Sequence, residues 1–130
     1  MNYEDFYTQL GKLAYAVAMA DGTVQQEEID KFRDDIKELL LPLESGADEF
    51  GIDNAFFSEF EFKSLMDKKI GVEETFESFL NFIDKNKESI DDNLKEVCLK
   101  VVENVALAYQ GIVESEKLLI DKLKEKLNSL

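Results

Sequence analysis

The stretch Tyr3-Glu4-Asp5-Phe6-Tyr7-Thr8-Gln9-Leu10-Gly11-Lys12-Leu13-Ala14-Tyr15-Ala16-Val17-Ala18-Met19-Ala20-Asp21-Gly22 decides the fold. Tyr3, Phe6, Leu10, Leu13, Val17 and Ala20 recur at steps of three and four, which traces one face of an α-helix. A second stripe, Tyr7, Gly11, Ala14 and Ala18, is mostly small. Small residues let a neighbouring helix backbone come close, so this helix is expected at the centre of a bundle. It should stop at Asp21-Gly22, where glycine accepts the left-handed conformation that ends helices.

The same periodicity runs outward along the chain. Ile29, Phe32, Ile36 and Leu39/Leu40 form the inner face of a second helix from about Gln26, which Pro42 and Ser45-Gly46 should end. Asp48 to Asp53 reads as a loop or a single turn, with Asp53 as N-cap of a helix carrying Phe56, Phe57, Phe60 and Met66. Phe76, Phe79/Leu80 and Ile83 line a helix from Val72 to about Asn86. Ser89 or Asp91 should cap a long helix with Leu94, Cys98, Val101, Val105 and Ala108 on one face. Val97, Val102, Ala106 and Tyr109 lie beside that face, so this helix too should be central. Gly111 breaks it, and a last helix from about Ser115 carries Leu118/Leu119, Leu123 and Leu127. No sustained alternation marks a strand. The expected fold is all-α, one compact domain of about six helices over residues 1–130.

Composition narrows the chemistry. The 130 residues carry a net charge of −14, contain no His, one Cys and one Arg, and are 45% hydrophobic. That hydrophobic fraction supports a core despite the charge. Without His there is no imidazole base, no Ser-His or Cys-His pair and no ordinary zinc site. A surface this acidic repels phosphate backbones and anionic headgroups, so neither nucleic acid nor membrane insertion is expected. The acidic start and the short uncharged runs point to a cytoplasmic protein. Cys98 reads as a small inert core residue.

Two stretches resemble each other. Ala16-Val17-Ala18-Met19-Ala20-Asp21-Gly22-Thr23-Val24-Gln25-Gln26-Glu27 aligns with Val105-Ala106-Leu107-Ala108-Tyr109-Gln110-Gly111-Ile112-Val113-Glu114-Ser115-Glu116. In each, a buried helix ends at Gly, a Val follows two residues on, and an acid-led helix begins. The first copy, continued to Glu28, also resembles the signature of the tellurite-resistance TerB-like family through Asp21, Gly22, Val24 and Glu28. Asp48-Glu49-Phe50-Gly51 is similar to an uncharacterised bacterial branch of that group. The resemblance implies a helical domain of bacterial stress and tellurite-resistance systems, with acids proposed to hold a metal ion. The carry-over applies to Asp21 and Glu28. In the second copy Gln110 and Lys117 stand at those places, with Glu114 and Glu116 nearby.

Chain reversal at Gly22 could bring Asp21 and Glu28 together, with Glu27 adding an oxygen, as a weak site for a divalent cation. The competing reading makes Gly22 a cap and Glu28 half of a capping box with Gln25. Phe57 and Phe62 lie off the 56–60–63–67 line, so both are expected at the surface as a patch for a protein partner or self-association. The leading expectation is a non-enzymatic domain that works by protein interaction. The alternative is a small Mg²⁺- or Mn²⁺-dependent carboxylate hydrolase, which needs several carboxylates converging on a cleft.

Overall fold

Asn2 starts the first helix by accepting the Asp5 amide at 2.9 Å, and α1 runs Tyr3–Ala18. The computed structural model describes residues 2–40, 49–109 and 111–130, and the side chains of these except 40 and 49–55. α2 spans Gln26–Asp35 and continues into a π-helical turn, Ile36–Leu40. α3 is Glu49–Lys68, α4 Val72–Lys85, α5 Asp92–Leu107 and α6 Glu114–Asn128, with a short 3₁₀ turn at Lys87–Ser89. Among the described residues there is no strand, and the chain is an all-α bundle. No described helix is long and apolar enough to cross a membrane.

Both helices expected at the centre are there. Phe6, Leu10, Leu13, Ala14 and Val17 of α1 and Cys98, Val101, Val102 and Val105 of α5 are almost completely buried. α1 packs on α3, α4 and α5, and α5 packs on α1, α2 and α6. The small stripe of α1 explains its crossing with α3. A Cβ at Gly11 would stand 2.4 Å from the Ser58 carbonyl oxygen, so only glycine fits there. The buried Ser58 hydroxyl donates to the Tyr7 carbonyl, and the Tyr15 hydroxyl donates to the Ile70 carbonyl at 2.6 Å. Asp91, not Ser89, caps α5, accepting the Leu94 amide at 2.8 Å.

That crossing corrects two expectations. Residues 49–53 are helical, the opening turns of α3, so Asp53 is not its N-cap. Ser58 sits against α1, so the inner line of α3 runs 58–62–65 and not 56–60–63–67. Phe62 is therefore 1% exposed, packed edge-on to Tyr15 and against Phe32, where a surface position was expected. Phe60 rotates out to 73% exposure instead. The helix-ending roles of Pro42 and Ser45-Gly46, and the placement of Asp48 and the Phe50 side chain, lie outside the described residues.

Candidate functional site

The two similar stretches adopt similar geometry. α1 ends at Ala18, the Gly22 amide donates to the Met19 carbonyl at 2.8 Å, and Gly22 takes φ +95°. After α5 the chain reverses at Gly111, with φ +85°. Non-glycine residues rarely adopt these angles, so both turns depend on glycine. Each following helix opens with a glutamate at its third position that reaches back to the N-cap amide. The Gln25 N–H donates to Glu28 at 2.8 Å, and the Val113 N–H donates to Glu116 at 3.1 Å. This is the returning half of a capping box.

Glu116 is thus the structural counterpart of Glu28. The sequence alignment places Lys117 at that position because the second turn is one residue shorter. From glycine to N-cap is Gly22 to Gln25 in one copy and Gly111 to Val113 in the other. Allowing for that missing residue would have revealed the match.

The fold brings these two glutamates together. Each is only 2% exposed, and their carboxyl groups share a hydrogen bond. Burial, with the neighbouring Glu116 and Asp21, pushes the Glu28 carboxyl up to about 7 against the opposing hydrogen bond from the Gln25 amide. Burial also raises Glu116 above the ordinary carboxylate range. Two carboxylates in this position repel, so the pair is favoured when it holds one proton in the hydrogen bond between them. Asp21 faces both, but its own carboxylate is exposed and accepts the Thr23 amide at 3.1 Å. Glu27 points to solvent and is not part of the group. Among the described residues, no three His, Cys, Asp or Glu side chains are assembled to hold a metal ion. The donor set is two carboxyls in contact with a third facing them.

A third buried acid carried no signal in the helical pattern. Asp35 is 1% exposed at the α2–α5 interface, where the Asn104 amide donates to both its oxygens at 3.1 and 3.3 Å. Burial raises it to about 6, against the Asn104 bond and Lys31 3.9 Å away. Cys98 is fully enclosed, its thiol pushed up to about 12 by burial, so it is a core residue at neutral pH.

On α3, Phe57 is 39% exposed and shares an outer face with Phe60. Beside them Glu59 accepts from Arg33 at 2.7 Å and pairs with Lys63 at 3.1 Å, joining α2 to α3. No protein-family model matches the chain, and neither a curated protein nor a solved structure matches it.

Proposed function

We propose that the chain is a non-enzymatic, TerB-like helical domain that acts through protein interaction in a bacterial stress or tellurite-resistance type of response. The observation that carries the interaction reading is the outer face of α3. Phe60, at 73% the most exposed large hydrophobic residue among those described, stands one helical turn from Phe57 at 39%. Exposed aromatic pairs are common anchors of protein interfaces, where ring burial supplies affinity. The family part of the reading rests on Asp21, Gly22, Val24 and Glu28 and on the helical pattern. The lack of His and the enclosed Cys98 favour a binding role over acyl-transfer chemistry. Affinity capture from the source cells tests it. The Phe57→Ser/Phe60→Ser protein should melt as wild type and lose the captured partner. An unchanged set of captured proteins would refute the α3 face.

A cation at the acidic pair is the second reading, favoured by Asp21 facing two carboxyls in contact. A divalent ion there would displace the shared proton and relieve the repulsion. Calorimetric titration with Mg²⁺, Ca²⁺, Mn²⁺ and Zn²⁺ should give heat for the wild type and none for Asp21→Asn/Glu28→Gln. Equal heats from the two proteins would reject it.

A further inference from the structure

The two helix-turn-helix units share a glycine of positive φ and a capping glutamate, and differ in what covers them. Aligned on Gly22 and Gly111, the α1 stripe Tyr7, Gly11, Ala14 and Ala18 corresponds to Glu96, Lys100, Glu103 and Leu107 on α5. The α1 stripe is buried, with α3 laid across it at Gly11. On α5 the corresponding face is open, with Glu96 and Lys100 exposed and Leu107 at 57% exposure. Among the described residues α3 therefore has no counterpart over the second unit, since α5 and α6 pack chiefly on each other, α1 and α2.

The end of α3 shows what such a cover does. Met66 and Lys69 face the α1–α2 turn across a cleft of about 370 Å³, against Met19, Gly22, Thr23 and Val24. At the α5–α6 turn the surface is more apolar: Tyr109 stands where the first unit has Ala20, and the N-cap is Val113, preceded by Ile112, where the first unit has Gln25. With Leu107 and Leu118 they supply five of the eight exposed large hydrophobic residues among those described. The upper part of the α5 face is closed to apolar docking, because Glu96 pairs with Lys100 at 3.0 Å and Glu103 with Lys124 at 3.5 Å. The open apolar surface is thus confined to the corner.

We propose that this corner, Leu107, Tyr109, Ile112, Val113 and Leu118, docks a short basic amphipathic helix from another protein, in the place that Met66 of α3 and Lys69 just beyond it take over the first unit. The assignment rests on the interaction reading above and names a second surface for it. Charge selects the occupant. Exposed Glu114 follows Val113, exposed Asp21 faces Glu116 in the first turn of α6, and neither acid is ion-paired among the described residues. A second copy would bring another net −14 against them, whereas lysines beside an apolar stripe meet both demands of the surface.

The probe is a short synthetic helix-forming peptide with Leu and Met at three- and four-residue spacing and Lys on its flanks, beside the same peptide with Glu for Lys. Amide shift mapping on the labelled protein should place the basic peptide at residues 107–118 and Asp21. Leu107→Ser/Leu118→Ser, which alters exposed side chains only, should melt as wild type and bind about tenfold more weakly, the scale of losing two interface anchors. Phe57→Ser/Phe60→Ser should bind this peptide as wild type does. Shifts confined to the α3 face would overturn the corner while leaving the interaction reading intact. Equal binding of the acidic peptide, no binding at all, or affinity unchanged in Leu107→Ser/Leu118→Ser would overturn it too. A wild-type dimer in sedimentation that this variant abolishes would assign the corner to a second copy instead.

Discussion

Glu28→Gln isolates the cost of the paired acids. In the folded chain Glu28 titrates at about 7, against an ordinary value of 4.5. The folded state therefore holds a proton that the unfolded state releases between those two values. Below pH 4.5 both states are protonated and the group costs nothing. As pH rises toward 7 the penalty grows, and above 7 it is complete, so this carboxyl makes the fold less stable at alkaline pH. At about 1.4 kcal/mol per tenfold change in proton affinity, the full penalty is roughly 3 kcal/mol. Glutamine removes the charge, still accepts the Gln25 amide and can donate to Glu116. Relaxation around the new amide reduces the gain, so we expect about 1–3 kcal/mol of added stability at pH 8 and little difference at pH 4.5. Urea unfolding followed by circular dichroism at the two pH values reads this directly. The comparison cancels the general self-repulsion of an acidic chain, which both proteins share. A Gln variant less stable than wild type by the same amount at both pH values would refute the costly-pair argument, because ionising Glu28 would then cost the fold nothing.

Two other perturbations test the packing. Gly11→Ala should destabilise by about 1–3 kcal/mol despite the better helix propensity of alanine, because the new Cβ meets the Ser58 backbone oxygen and α3 must move; denaturant midpoints that rise would contradict the close crossing. Asn104→Ala should cost about 1–3 kcal/mol at pH 8, where buried Asp35 is ionised and loses its two hydrogen bonds, and less at pH 5, below its value of about 6. A loss independent of pH would show that Asn104 matters only as packing.

Much of the fold was legible because helix burial repeats every three to four residues. The stripe around Gly11 foretold the close approach of another helix, and the wide apolar faces of α1 and α5 foretold their burial. Rotation about a helix axis was harder to read. With Phe at 56, 57, 60 and 62, several faces of α3 are apolar, and only the Gly11–Ser58 contact decides that Phe62 points in and Phe60 out. The acidic positions failed for another reason. Asp35 and Glu116 sit where periodicity assigns no role to acids, and their burial depends on tertiary partners, Asn104 and Glu28, distant in sequence.

Local capping accounts for where Glu28 and Glu116 stand, but not for their being glutamates. Either Glu or Gln at the third helical position can accept an N-cap amide. A single glutamate in such a place is ordinary, since solvent keeps its charge cheap. Here both helix starts face each other at 2% exposure, and Asp21 adds a third acid nearby. Replacing either by glutamine would keep both capping bonds and remove the repulsion, so the sequence maintains a strain that its local structure does not require. Departures of this kind from the most stable choice concentrate at functional positions. The paired carboxyls are therefore the place to look for a ligand or proton effect on the domain, and the Glu28→Gln protein separates that role from folding: it should be the more stable protein and the one deprived of the response.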